Sequence, residues 1–87
     1  MKREDFPCYD LALKAAEAGD NYPCALNGAG EVAVRAFLEK QIPFLAIPEV
    51  IEGALALTER VKPDSYEALL ETDLKARAYA NEIILRK

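Results

Sequence analysis

The 87-residue chain contains no histidine and no tryptophan, and only two cysteines and one methionine. Without histidine there is no imidazole base for a nucleophile triad or dyad, and most zinc sites are excluded as well. The cysteines, Cys8 and Cys24, form no Cys-x-x-Cys pair, and two thiols make no structural zinc site. They are compatible with a disulfide. However, Met1-Lys2-Arg3-Glu4-Asp5 is charged and leads into no apolar stretch, so the reading is a chain of the reducing cytoplasm with both cysteines as small buried hydrophobes. Long apolar runs are also missing: Ala54-Leu55-Ala56-Leu57 is far too short to span a bilayer. Basic residues are the minority, 11 against 15 acidic, for a net charge of −4. A chain of that balance without a basic stripe does not suit a phosphate backbone, so neither nucleic acid nor membrane is expected as a partner.

Hydrophobic residues make up 52% of the chain and charged ones 30%, which is enough for one folded domain and not enough length for two. No useful strand alternation appears, and the apolar residues recur at helical spacing. A first helix is expected over about Tyr9–Ala18, burying Leu11, Ala12, Leu13, Ala15 and Ala16, with Pro7 before it and Gly19 as its stop. A second runs from Cys24 to about Gln41 on Leu26, Ala29, Gly30, Ala33, Phe37 and Ile42, widened by Val34 and Leu38. Pro43 and Pro48 mark a connector. A third helix is expected from Pro48 to Val61, with Val50, Ile51, Ala54, Leu55, Thr58 and Val61 inward. Ser65 caps a fourth carrying Tyr66, Leu69, Leu70, Leu74, Ala80, Ile83 and Ile84, with Thr72 or Asp73 as a place where it breaks in two and Arg86 and Lys87 suiting its end. Short connectors favour antiparallel neighbours, so the expected fold is an all-α, small antiparallel four-helix bundle. Residues 1–5 read as an N-terminal extension and 6–87 as the domain.

Gly28-Ala29-Gly30-Glu31-Val32-Ala33 matches the glycine fingerprint of a dinucleotide site. That fingerprint has a mechanism only after a strand and at the mouth of a helix, and here it lies inside a helical pattern, so small residues at a close helix approach are the reading. Asp73 and Arg77 are an i, i+4 pair beside the fourth apolar stripe, and Glu31 lies similarly beside the second. They are read as a structural seam between these helices. Asn27, a polar residue in an apolar start, is read with them, its side chain bonding to backbone in a neighbouring loop. Tyr9, Tyr22, Tyr66 and Tyr79 form no stacking platform. No catalytic, cofactor-binding or metal-binding residue is assigned.

Phe6-Pro7-Cys8-Tyr9-Asp10-Leu11-Ala12, Leu26-Asn27-Gly28-Ala29-Gly30-Glu31-Val32-Ala33-Val34, Ala36-Phe37-Leu38, Ile42-Pro43-Phe44-Leu45-Ala46-Ile47-Pro48 and Asp73-Leu74-Lys75-Ala76-Arg77 follow one another in the order of a known family. From Phe6 to Asn81 the chain resembles the C-terminal domain of 1-deoxy-D-xylulose 5-phosphate reductoisomerase. It departs from the usual Leu-Asn-Ala-Ala-Asn-Glu core at Gly28 and Gly30. The resemblance implies a helical bundle beside the catalytic part of an enzyme of the mevalonate-independent isoprenoid route. That enzyme converts its sugar phosphate to 2-C-methyl-D-erythritol 4-phosphate with NADPH and a divalent metal, magnesium or manganese, on domains that precede this one. The resemblance therefore implies no cofactor and no activity for this chain alone. The partner it implies is the catalytic domain; with that neighbour missing, Val32, Val34, Phe37 and Leu38, apolar on more than one side of the second helix, are read as a patch that a second copy covers as a homodimer. The alternative is a free-standing helical interaction module.

Overall fold

The computed structural model describes residues 7–86, with side chains from Leu13 onward. Expectations placed on residues 1–6, on the side chains of Cys8, Tyr9, Leu11 and Ala12, and on Lys87 lie outside the described residues. Four helices follow one another and no strand occurs among the described residues: α1 (Pro7–Ala18), α2 (Tyr22–Leu38), α3 (Ala46–Leu57) and α4 (Tyr66–Leu85). The all-α, four-helix fold is as expected. Contacts between α2 and α4 step evenly along both helices: Cys24 meets Leu69, Gly28 meets Asp73, and Glu31 meets Arg77. The two helices therefore run in the same direction, side by side. α3 packs across both, and α1 lies against α2 and α3.

Each helix end has a local cause. Gly19, at φ 68°, stops α1, and Asp20 follows at φ 51°. Pro23 sits in the first turn of α2, where its missing N–H removes one unpaired donor. α2 ends at Leu38 rather than near Gln41. Lys40 takes the left-handed conformation, its N–H donates to the Phe37 carbonyl, and the Gln41 N–H donates to that of Ala36. This is a Schellman stop with lysine where glycine is usual, so composition does not announce it. α3 starts at Ala46, two residues before Pro48, because the Ala46 and Ile47 N–H groups turn onto the Pro43 and Phe44 carbonyls and bury both side chains. It ends at Leu57, four residues short of expectation. Thr58 is extended, and its hydroxyl donates to the Ala54 carbonyl at 2.8 Å. Ser65 caps α4 as expected, its Oγ accepting from the Ala68 N–H at 3.1 Å. α4 is continuous through Thr72 and Asp73. Both side chains bond to partners outside the helix backbone, so they do not compete with it.

The core is built mainly from alanine. Ala25, Ala29, Ala33, Ala36, Ala54, Ala76 and Ala80 are buried around Ile42, Ile47, Val50 and Ile51. Leu13 is half-buried and Ala15 buried, but Ala16 is exposed. The inward face of α4 is Thr72, Ala76 and Ala80, with Ile83 and Ile84 packed against the core. Tyr66, Leu70 and Leu74, expected inside, are exposed, and so is Val61. The correction has a steric basis. Two helices that approach closely must face each other with their smallest side chains, and the bulky leucines of α4 turn away.

Lys40 generates a stability prediction. A non-glycine residue in the left-handed region carries a steric cost that the greater unfolded-state freedom of glycine partly offsets. Lys40→Gly should raise unfolding stability by about 0.5 kcal/mol, read as a higher urea midpoint at unchanged slope.

Candidate functional site: the seam between α2 and α4

The seam begins with a missing side chain. A Cβ on Gly28 would lie 2.7 Å from Asp73 Oδ1 and 3.3 Å from the Asp73 carbonyl oxygen, so glycine makes room for the carboxylate. Asp73 turns that carboxylate to Arg77, whose Nε donates to Oδ2 at 2.9 Å. Nη2 of Arg77 reaches across the seam and donates to Glu31 Oε2. One guanidinium thus joins two carboxylates from two helices, and both raise its pKa, Asp73 first. Asp73 and Arg77 are partly buried and Glu31 is largely exposed, so the cluster sits at the rim of the interface. Cys24, one turn before Gly28, is a free thiol donating to the Leu69 carbonyl at 3.3 Å. Burial, and then the negative charge of Asp73, raise its pKa, which makes it a packing residue and a poor nucleophile.

Asn27 does not join this cluster. It is exposed, and no hydrogen bond among the described residues involves its side chain. The role of a buried amide holding a neighbouring loop belongs to Asn21, which is 2% exposed. Its Nδ2 donates to the Glu59 carbonyl at 2.8 Å and to Thr72 Oγ1 at 3.0 Å, and its Oδ1 accepts from the Val61 N–H at 2.9 Å. Arg60, between those backbone groups, reaches back to the same corner: it donates to Asp20 Oδ2 at 2.7 Å and to the Ala18 carbonyl at 2.6 Å. Its guanidinium also lies 6.0 Å from the centre of the Tyr22 ring. The α1–α2 corner and the α3–α4 linker are thereby tied to each other. Asn21 looks in sequence like one more polar residue of a Gly-Asp-Asn turn. It stands directly ahead of α2, yet its side chain caps nothing in its own helix.

Chemically, these groups satisfy one another. Every carboxylate oxygen drawn to Arg77 spends its charge on pairing, and no buried side-chain polar atom among the described residues lacks a partner. No three metal-capable side chains cluster among the described residues. Gly28 and Gly30 lie within helix α2 and not at a strand-to-helix turn, so the nucleotide fingerprint has no structural context here.

Comparison with known proteins is consistent with this architecture. A family model described as the DXP reductoisomerase C-terminal domain matches residues 1–79. The 1-deoxy-D-xylulose 5-phosphate reductoisomerase of Nitrosomonas europaea is 51% identical over 77 residues, 88% of this chain and 19% of the relative. That of Pseudomonas fluorescens SBW25 is 49% identical over 81 residues, 93% of this chain and 20% of the relative. The solved structure of the Zymomonas mobilis reductoisomerase in complex with NADPH superimposes with a TM-score of 0.91 at 35% identity, over 95% of this chain and 22% of that one. The chain therefore spans about a fifth of the length of the curated relatives it matches.

Two stability predictions follow from the seam. Asn21→Ala strands a carbonyl, an amide N–H and a hydroxyl in or near the core, and should cost about 3 kcal/mol in urea denaturation. Arg77→Ala removes the partner of two carboxylates and should cost about 1 kcal/mol at low salt, less in high salt. Lys14→Ala, on the exposed side of α1, is the control, and an equal small shift in both melting temperatures would make the Arg77 cluster ordinary surface.

Proposed function

The chain belongs to the DXP reductoisomerase C-terminal domain family, and on that premise we propose that it is a structural helical domain of such an enzyme, resting beside the part that carries the chemistry. The observation that carries this reading is the close superposition of the whole bundle on about a fifth of a reductoisomerase chain whose structure contains NADPH. The assembled enzyme would convert 1-deoxy-D-xylulose 5-phosphate to 2-C-methyl-D-erythritol 4-phosphate with NADPH and magnesium or manganese. In this proposal those ligands are held by the other four fifths of the protein. Residues 6–87 act as one packing unit, and the Glu31–Arg77–Asp73 cluster and the Asn21 clamp keep the bundle rigid.

The internal pairing of the seam supports a structural role. A catalytic carboxylate must be poised for proton transfer, whereas Asp73 and Glu31 are committed to a guanidinium that never gives up its proton. We place the protein in the cytoplasm, in keeping with its acidic composition. No helix among the described residues is long and apolar enough to cross a membrane.

The 87-residue chain should neither bind NADPH nor oxidise it in the presence of the sugar phosphate and magnesium. Isothermal titration with NADPH and a coupled absorbance assay check this. Binding at a micromolar dissociation constant would place cofactor recognition inside the bundle and overturn the structural reading.

A further inference from the structure

Helix α1 ends with the wrong charge. A helix C-terminus presents unpaired carbonyls and partial negative charge, which a cation stabilises and an anion does not. The last turn of α1 holds Glu17 and no basic residue. The cation comes instead from the α3–α4 linker, 42 residues on. Arg60 Nη2 donates to the Ala18 carbonyl at 2.6 Å, and its Nε donates to Asp20 Oδ2 at 2.7 Å. α1 is thus capped from outside its own segment.

Little else holds this end of α1. Of the side chains from Leu13 to Ala18 only Ala15 is buried, and it borders an apolar groove shared with Tyr22 and Leu55. The main core of α2, α3 and α4 includes no described residue of α1. Among the described residues, the Arg60 bond to Ala18 is the one polar contact between α1 and another element. The joint to α2 is free to turn: Gly19, at φ 68°, has open space where a side chain would stand, and Asp20 follows at φ 51°. Asn21, the next residue, is held to the linker and to α4 by its own hydrogen bonds. Rotation at Gly19 and Asp20 therefore moves α1 and leaves that clamp in place. A helix of 12 residues is marginal in water by itself, so its external cap matters. We propose that α1 is a latched element, which opens about Gly19–Asp20 as a unit of its own while α2–α4 stay folded, with Arg60 as the latch. An open α1 uncovers the faces of α2 and α3 on which it lies, so the latch controls access to them. The Arg60 side chain is 58% exposed, and salt therefore loosens its hold.

The latch is independent of the catalytic reading, since amide exchange and NADPH binding are separate measurements. Native-state hydrogen exchange of the 87-residue chain, read by mass spectrometry on peptides from α1 and α4, tests it. At low salt the α1 peptide should exchange at least about tenfold faster than the α4 peptide, because it opens without global unfolding. Arg60→Ala should speed α1 by about a further fivefold and leave α4 unchanged. Sodium chloride at about 0.5 M should speed α1 in the parent chain and add nothing in Arg60→Ala. Exchange of α1 and α4 at one rate in the parent chain, or an equal acceleration of both by Arg60→Ala, would make the bundle a single cooperative unit and overturn the proposal. So would an α1 that Arg60→Ala leaves untouched, or an equal response of both chains to salt.

Discussion

Asn21 ties the α1–α2 corner to the α3–α4 linker through a buried polar network. Helices α1 and α2 form one hairpin and α3 and α4 another, and alanine faces alone would let such hairpins slide. A buried amide that donates to Glu59 and Thr72 and accepts from Val61 has one geometry, and it sets how the α3–α4 linker lies on the α1–α2 corner. Arg60 adds a second tie at the same corner through Asp20 and Ala18. α3 has ended at Leu57 with Thr58 extended, and the Glu59 carbonyl and the Val61 N–H beyond it are held by Asn21. Removing a single buried polar partner costs more than the bond contributes when intact, so this corner is sensitive to substitution.

Beside that corner, where Asn21 meets Thr72, the α2–α4 seam runs in one direction along both helices: Cys24 meets Leu69, Gly28 meets Asp73 and Glu31 meets Arg77. The interface changes along its length from a buried neutral network to a partly buried ion cluster at the rim. Small residues make this possible. Alanine at 25, 29, 76 and 80 and glycine at 28 let the backbones come close enough for short polar side chains to reach across. The trade is a core of low hydrophobic yield, since an alanine buries far less apolar area than a leucine. Specific polar ties therefore matter more here than in a leucine-rich bundle.

The same trade explains where reading from sequence succeeded and where it did not. Four helices, the Gly19 stop, the Ser65 cap and the Asp73–Arg77 pair were legible because they rest on periodicity, turn chemistry and i, i+4 spacing, and Glu31 because it stands beside the apolar stripe of α2. The orientation of α4 was not. Leu70 and Leu74 outrank Thr72 and Ala76 on any hydrophobic scale, yet the smaller pair faces the seam. Asn27 drew attention as a polar residue in an apolar stretch, but Asn21 holds the loop. Nothing in a Gly-Asp-Asn turn says that its last side chain will be buried against a linker 38 residues away.

By itself the sequence determined the class of this protein. Absent histidine, two isolated thiols, an acidic balance and helical periodicity lead to a small all-α domain without visible chemistry, and the ordered motifs lead to its family. These are local properties, written in composition and short-range spacing. Only the tertiary structure decided which face of α4 is inside, where α2 and α3 end, that Asn21 is the clamp, and that Arg60 caps α1. Each of these depends on what lies across from a residue rather than beside it in the chain. A helix surface offers several faces of similar hydrophobicity, and steric fit between elements distant in sequence selects one of them.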